Sequence, residues 1–203
     1  MHVPATLSFT VGDRVLEFRR VDLVVGKSLK TEVFASKNNK TLRQTILHPK
    51  YLHLRDVVAA SHAAHLDDRL GEFLIKLKKT GNLDYLKFLN KYGDDVYCDF
   101  CIDDRSVGKM KGLYCFVAEG QVKYIGKSVD SFGKRISQGY GRIHPKNCFR
   151  DGQATNCHLN ALIAQARQDV RFFVHSMTDD VEIASVERML IAKERPLWNI
   201  QLV

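Results

Sequence analysis

The sequence predicts an α+β protein, in which a small three-stranded antiparallel sheet with flanking helices follows a mixed, mainly helical N-terminal region. In the second half, two runs rich in aromatic and β-branched residues are separated by Glu119-Gly120, which is typical of a β-hairpin. Helical patterns and a third strand-like run follow. In the first half, apolar residues recur every three or four positions between residues 53 and 79, which favours helix.

The second half has the clearer order of elements. The hairpin strands are expected at residues 112–118 and 121–127, and a third strand at 171–177. Short or amphipathic helices are expected at 131–137, 156–168 and 181–194, the last ended by Pro196. A glycine-rich and basic loop is expected over residues 139–153.

The first half contains two strand-like runs, 6–11 and 15–25, before its helical patterns. Gly71 is expected to interrupt or bend the helical pattern at 53–79. Acidic residues crowd into residues 92–108. This segment is the best candidate for a domain boundary. We therefore expect an N-terminal region at 1–105 and a second domain at 109–203.

Composition favours a globular protein with an anionic partner. The net charge is +8 and the pI is near 9.3, with 45% apolar residues. Residues 123–150 carry seven cations against one anion, Asp130. Phosphate binding and an ordinary solvated surface both explain that run. The sequence has no apolar stretch long enough to span a bilayer and no export signal, so a cytoplasmic location is expected.

The five cysteines are an odd number in a chain expected to be cytoplasmic, which argues against a disulfide framework. Cys98 and Cys101 have the spacing of half a zinc site. The other half would have to come from Cys148, Cys157 and His158, which lack a matching short loop. Buried thiols are the preferred interpretation, and structural zinc is the alternative.

The most informative motif is the pair Gly112-Leu113-Tyr114 and Tyr124-Ile125-Gly126. It places two tyrosines on neighbouring strands of one hairpin, where both phenols can face a single site. Arg135 follows in the next helix, and its planar fork matches phosphate oxygens. A tyrosine can act as a base only if cations lower its pKa from about 10, and Lys127 is a candidate source of that field.

Glu187 is predicted to lie on the apolar face of the last helix, between Ile183, Leu190 and Ile191. A carboxylate there is either an edge residue that reaches solvent, or it is paired or binds a metal. Two phenols, a guanidinium and a carboxylate are groups suited to hydrolysing a phosphodiester, because they can hold water, phosphate charge and a metal.

These landmarks, in order, resemble the GIY-YIG nuclease superfamily over about residues 111–201, with the late Asn199 completing the set. The likeness is greatest to small restriction and phage endonuclease members, which also have a lysine after the second motif. The resemblance implies a metal-dependent DNA endonuclease that leaves 5′-phosphate and 3′-hydroxyl ends. It also implies one Mg²⁺ per active site, with Mn²⁺ able to substitute.

The resemblance also assigns roles to individual residues. Tyr114 matches the tyrosine proposed as the general base, and Tyr124 matches the second active-site tyrosine. Lys127 matches the lysine that the restriction and phage members have after the second motif. Arg135 matches the phosphate-binding arginine. Glu187 matches the metal ligand, and Asn199 matches a residue that positions the site.

One position departs from the family pattern. Many members carry histidine or tyrosine four residues after the arginine, where this chain has Gly139. Tyr140 takes that role if the helix unwinds at Gly139, and is otherwise an exposed loop aromatic. Residues expected to contact nucleic acid are Lys123, Lys134, Tyr140, Arg142, His144, Lys146 and Arg150.

The expected partner is DNA, with no membrane association, and a homodimer is possible. Residues 1–105 are assigned to target recognition or dimerisation. Two alternatives stay open: a catalytically silent nucleic-acid-binding module on the same fold, and a structural zinc protein whose hairpin tyrosines are core aromatics.

Overall fold

The computed structural model describes residues 5–200, which divide into two compact units. The first, which we call the sheet unit, combines the chain up to Ser28, Cys98–Arg142 and the chain from Leu162 onward. The second, which we call the helical unit, combines Leu29–Tyr97 with Ile143–Ala161. Among the described residues, no helix has both the length and the apolar composition required to cross a membrane.

The sheet unit contains a curled, five-stranded antiparallel sheet. Its strands are β1 (Thr6–Val11), β2 (Arg14–Val21), β5 (Gly112–Ala118), β6 (Gln121–Ser128) and β7 (Arg171–Ser176), in the order β1-β2-β7-β5-β6. The three strands predicted in the second half are therefore present. The predicted three-stranded sheet is nevertheless wrong, because β2 pairs with β7 and adds two strands to the sheet.

Buried side chains explain why β1 and β2 join this sheet. Leu16 and Phe18 alternate with exposed residues along β2 and are buried in the core of the sheet unit. The Phe18 ring stacks on the His175 ring of β7 with the ring centroids 5.4 Å apart. The chain turns from β1 to β2 at Gly12, whose φ of +57° favours glycine. The strand predicted at residues 6–11 is confirmed, but its membership of the same sheet as the second-half strands was not predicted.

The two faces of β5 and β6 pack against different elements. Leu113 and Cys115 share a core with Ile183 of α6 (Asp180–Glu194), and we call this the α6 face. Successive residues of a strand point to opposite faces, so Tyr114 lies on the other face, which we call the tyrosine face. There Tyr114 packs edge-on against Phe132, which precedes a π-helix at Gly133–Tyr140.

The remaining strands form a separate two-stranded sheet. They are β3 (Leu23–Lys30) and β4 (Tyr97–Ile102). The predicted strand at residues 15–25 is thus two strands, separated at Asp22. The short helix α4 (Arg105–Gly108) begins at Asp104, whose carboxylate accepts hydrogen bonds from the backbone N–H groups of Ser106 and Val107.

The helical unit is built from short helices around an aromatic core. Its helices include α1 (Leu42–Ile46), α2 (Arg55–Ser61) and α3 (Leu70–Lys79), with 3₁₀ turns between them, and α5 (Ala154–Gln165) begins in this unit. The predicted helix at 53–79 is therefore broken. Gly71 lies inside α3 and does not interrupt it. A Cβ at Gly71 would lie 2.1 Å from the carbonyl oxygen of Ala35, so glycine is required for close packing.

Replacing Phe18 with alanine tests the contribution of β2 to the sheet unit. Because Phe18 is fully buried, Phe18→Ala is expected to lower the free energy of unfolding by about 3–5 kcal/mol. Urea denaturation followed by circular dichroism measures this. The matched control, Val15→Ala, lies on the same strand with a side chain that is 63% exposed. It should change the free energy by no more than about 0.5 kcal/mol. Equal effects of the two substitutions would contradict the five-stranded sheet.

Candidate functional site

The candidate site includes the hairpin of β5 and β6, in which Tyr114 lies directly opposite Gly126. A Cβ at Gly126 would lie 2.6 Å from the hydroxyl oxygen of Tyr114 and 2.8 Å from Cε1 of Tyr124. A side chain at this position would therefore overlap both rings. Gly112 is required for a different reason. Its φ is +139°, and a Cβ there would lie 2.2 Å from the carbonyl oxygen of His175.

Three phenols meet on the tyrosine face. The Tyr114 hydroxyl donates a hydrogen bond of 3.2 Å to the Tyr140 hydroxyl, which also lies 3.2 Å from the Tyr124 hydroxyl. The Tyr114 and Tyr124 rings are stacked, with centroids 6.1 Å apart. Tyr140 thus connects the two motif tyrosines. It is completely buried and is not an exposed loop aromatic.

The π-helix at Gly133–Tyr140 explains how Tyr140 reaches this position. A π-helix has hydrogen bonds between residues five apart, and the N–H of Gly141 bonds to the carbonyl of Ile136 at 2.6 Å. Residues i and i+5 therefore lie on one face. Tyr140, five residues after Arg135, consequently faces the same way as the arginine, and the extra residue Gly139 is absorbed in the wider turn. Gly139 does not end the helix.

Arg135 covers the phenol cluster on its outer side. The guanidinium carbon lies 4.6 Å from the centroid of the Tyr140 ring, within the range of a cation–π contact. The residue itself is exposed, unlike the three tyrosines. Arg135 therefore presents a fixed positive charge to an incoming anion while its planar group rests on an aromatic ring.

Burial keeps the phenols of Tyr114 and Tyr124 protonated. It raises the pKa of Tyr114 well above its ordinary value; Tyr124 and Tyr140 add to the effect and Arg135 opposes it. Burial also raises the pKa of Tyr124, with Tyr140 and the negative charge of Glu187 adding to it. The condition for a tyrosine base, a cation that lowers the pKa of the phenol, is thus not met at Tyr114, because Arg135 does not offset the burial.

Lys127 and Glu187 lie on the other side of the sheet. Lys127 pairs with Leu113 across the hairpin, so it faces α6, and its ammonium group forms an ion pair with Oε2 of Glu187. The Glu187 side chain is only 14% exposed. The sequence thus placed Glu187 correctly near an apolar face. The carboxylate is paired with Lys127, and it is not among the tyrosines on their face.

Asn199 holds the edge of β6, which is the outer strand of the sheet. Its side-chain oxygen accepts from the N–H of Ile125 at 3.0 Å, and its amide nitrogen donates to the carbonyl of Ile125 at 2.8 Å. The N–H of Trp198 donates to the carbonyl of Lys123 at 2.8 Å. The chain after α6 therefore covers the backbone of β6 directly beside the second motif.

Comparisons with known proteins do not assign this arrangement to a family. No family model, no curated protein and no solved structure matches the chain.

The residues expected to contact nucleic acid differ in their availability. Lys123 is buried, with its ammonium group 2.9 Å from Glu119 and 3.1 Å from Gln121. Lys134 is exposed but paired with Asp130. Arg142, also in the sheet unit, is exposed, and so are His144, Lys146 and Arg150 of the helical unit. The ammonium group of Lys123 is thus held by Glu119 and Gln121 and is not directed to an external phosphate.

The cysteines are not assembled into a metal centre in the described part of the chain. There, no group of three or more histidine, cysteine, aspartate or glutamate residues could hold a metal ion. Cys98 is buried and Cys101 is exposed, as expected for positions of opposite orientation on β4. Burial raises the pKa of the Cys98 thiol to about 11.

Sequence reasoning missed Phe132, which packs edge-on against Tyr114 with centroids 6.3 Å apart and is fully buried. Phe132, Ile136 and Tyr140 are spaced by four residues, and all three are buried. That apolar spacing was a usable signal. It marks the face of the helical segment that packs on the tyrosines.

Gly126→Ala tests the packing that aligns the phenols. Because the new methyl group would overlap the Tyr114 hydroxyl, the free energy of unfolding is expected to fall by about 1–3 kcal/mol. The near-ultraviolet circular dichroism of the tyrosines should change as well. The control is Gly108→Ala, where the nearest atom to the new Cβ, the Cα of Gly133, is 3.9 Å away. It should leave the tyrosine spectrum unchanged and should not lower the free energy of unfolding. An unaltered tyrosine spectrum in Gly126→Ala would contradict the described packing.

Proposed function

We propose that the chain is a metal-dependent DNA endonuclease of the GIY-YIG type, restriction-like in character, which hydrolyses phosphodiester bonds to 5′-phosphate and 3′-hydroxyl ends. The observation that carries the proposal is the exposed Arg135 guanidinium stacked on Tyr140, whose hydroxyl bridges those of Tyr114 and Tyr124. The Arg135 guanidinium can bind a phosphate, and the hydrogen-bonded phenols beside it can accept or donate a proton.

In this proposal, Arg135 binds the scissile phosphate and offsets the charge that develops on its oxygens. Tyr114, hydrogen-bonded through Tyr140 to Tyr124, orients the attacking water and accepts its proton. Because burial raises the pKa of Tyr114, the phenol is protonated at rest, and the bound site must favour its deprotonation. Asn199 supports the tyrosines indirectly, since it fixes the backbone of β6 at Ile125.

Glu187 fits Mg²⁺ as a single carboxylate ligand, because Mg²⁺ usually takes one or two carboxylates and completes its shell with water and phosphate oxygens. The same donor set does not fit structural zinc, which needs four protein ligands. When bound, the cation would supply Lewis-acid stabilisation to the phosphate and the leaving oxygen. Mn²⁺ has the same preference for oxygen ligands and would substitute.

Lys127 balances the charge of Glu187 before a cation binds. The ion pair is partly buried, so the loss of either partner would leave the other charge poorly solvated. A cation at Glu187 would displace the Lys127 ammonium group from Oε2. The released ammonium group would then be available to a phosphate oxygen, which is a role for this lysine beyond holding the carboxylate.

A catalytically silent nucleic-acid-binding module is the second candidate, and one observation favours it. Tyr114 is completely buried, and its hydroxyl is already hydrogen-bonded to Tyr140. A base must exchange a proton with water that reaches it. In a silent module the three phenols would serve packing alone, and Arg135 would be the residue of this cluster that contacts the nucleic acid.

The two functions are separated by incubation of the protein with supercoiled plasmid and Mg²⁺. We expect nicking or linearisation by the parent. Glu187→Ala should reduce the rate by about 10²–10³-fold, because it removes the cation ligand. Tyr114→Phe should reduce it by about 10²–10⁴-fold with DNA binding retained, because only the hydroxyl is lost. The matched control, Glu194→Ala, removes an exposed glutamate from the same helix and should cleave as the parent does.

Each outcome of this experiment bears on a different part of the proposal. If the parent nicks neither modified nor unmodified DNA, the enzymatic function is wrong and the silent module is favoured. If Glu187→Ala cleaves like the parent, the role of Glu187 is wrong. If Tyr114→Phe no longer binds DNA, Tyr114 is a structural residue.

Lys127→Met tests the competition for Glu187 without any cleavage. Because the ammonium group no longer pairs with the carboxylate, Mn²⁺ binding in the absence of DNA should tighten about tenfold, or about 1.4 kcal/mol. Electron paramagnetic resonance of free Mn²⁺ measures this. Lys134→Met, which breaks the exposed pair with Asp130, is the control and should not change the affinity. Equal Mn²⁺ affinities of the parent and Lys127→Met would contradict the competition.

A further inference from the structure

The helical unit contains a basic groove whose lining includes none of the tyrosine cluster, Arg135, Lys127 or Glu187. It is an open depression of about 710 Å³, and we define the basic groove by three of its lining residues, Lys50, Lys91 and Arg150. Leu86 and Asn90 also line it. No acidic residue lines the groove, and within residues 5–200 none of the three cations has an ion-pair partner. Three positive charges therefore converge there without an internal counter-charge.

The acidic residue nearest in sequence is already neutralised elsewhere. Asp151 follows Arg150 directly, and its carboxylate accepts a hydrogen bond of 2.6 Å from the Tyr51 hydroxyl. The same carboxylate lies 3.6 Å from the ammonium group of Lys37, which is buried and rests on the Phe149 ring at 4.2 Å. The interaction with these partners keeps the pKa of Asp151 below its ordinary value. Asp151 is therefore ionised but paired inward, and Arg150 keeps its charge.

Main-chain contacts fix the positions of the groove residues. The N–H of Arg150 donates to the carbonyl of Phe88 at 3.1 Å, and Leu89 forms a β-bridge with Phe149. The Lys50 ammonium group donates to the carbonyl of Arg150 at 3.2 Å. These bonds join the segments that carry the three cations, so the backbone holds the three positions close to one another.

The side chain of Asn90 stiffens the floor of the groove. Its amide donates to the carbonyls of Asn147 at 2.6 Å and Phe149 at 3.2 Å, and its oxygen accepts from the N–H of Tyr92 at 2.9 Å. The residue beside it, Lys91, holds its ammonium group 5.4 Å from the centroid of the Tyr92 ring. A rigid floor lowers the entropy cost of ordering a ligand on it.

We propose that the basic groove binds the phosphodiester backbone of DNA, which makes the helical unit a second DNA-contacting surface of the chain. This inference rests on the proposed nuclease function, since that function makes DNA the polyanion at hand. Phosphate contacts from lysine and arginine supply most of the sequence-independent affinity for DNA. The groove is too large for one phosphate group, and the exposed Leu86 offers an apolar wall to a deoxyribose.

The test is the DNA affinity of the full chain as a function of salt, measured without Mg²⁺ by fluorescence anisotropy of a labelled duplex. The variant is the triple substitution Lys50→Ala, Lys91→Ala and Arg150→Ala. If each cation neutralises one phosphate, the slope of log affinity against log salt should fall by about 2–3. The affinity near 0.1 M salt should fall by about 10–100-fold, from the same counterion release.

The matched control removes three other cations of the helical unit, by Arg55→Ala, Arg69→Ala and Lys79→Ala. These residues are exposed, lie outside the groove and, among the described residues, form no ion pair. The net charge of the two triple variants is identical. Thermal unfolding followed by circular dichroism verifies that both are folded. The slope and affinity of the control should stay close to those of the parent.

The outcomes separate this inference from the proposed nuclease activity. Equal slopes in the parent and the groove variant would overturn the groove inference, even if the plasmid is cleaved. A lower slope in the groove variant alone supports it, even if no DNA is cleaved. Equal losses in both triple variants would reduce the effect to net charge and overturn it. If inorganic pyrophosphate binds the parent but not the groove variant, while DNA affinity is unchanged, the groove is a small-anion site instead.

Discussion

The close contact between Tyr114 and Gly126 is the constraint on which the candidate site depends. Tyr114 can lie flat over the neighbouring strand only because Gly126, its cross-strand partner, has no side chain. This places its hydroxyl within hydrogen-bond distance of Tyr140 and stacks its ring on Tyr124. Interiors are packed to the density of organic crystals, so one extra methyl group at this position must displace a ring. The glycines of the two motifs are therefore packing residues, and the tyrosines are aligned because the glycines are there.

The π-helix at Gly133–Tyr140 is the second part of the same arrangement. An α-helix would place the residue four after Arg135, Gly139, on the arginine's face, and glycine carries no hydroxyl. The wider π turn moves Tyr140 into that place, between the two motif tyrosines. π turns are rare in proteins, so other interactions must stabilise this one. Here the burial of Tyr140 together with Phe132 and Ile136 stabilises the turn. Tyr140, five residues after Arg135, thus occupies the position that a residue four places after the arginine would occupy in an α-helix.

Sequence patterns predicted correctly those elements whose signals lie close together along the chain. The β5–β6 hairpin, with Glu119 and Gly120 both at positive φ, and the helix that carries Glu187 follow from turn residues and periodicity. The place of β2 did not, because Arg19 of β2 pairs with Val174, far along the chain, and no local pattern encodes that partner. Gly71 was misread for a similar reason. Its close contact with the carbonyl of Ala35 exists only in three dimensions. The burial of Tyr140 and the pairing of Glu187 with Lys127 equally required the packed structure.

The division of the site between two faces of one sheet constrains how it can work. The phenols and Arg135 lie on the tyrosine face, while Lys127 and Glu187 lie on the α6 face, and β6 separates them. β6 is one of the two outer strands of the sheet, so the two faces meet at its edge. The negative charge of Glu187 contributes to the raised pKa of Tyr124, after burial and Tyr140, so the two sets interact electrostatically across the sheet. Asn199 occupies the backbone of the same edge at Ile125. In the proposed nuclease, a phosphate bound by Arg135 and a cation held by Glu187 would therefore have to meet around the edge of β6, beside the backbone that Asn199 and Trp198 cover.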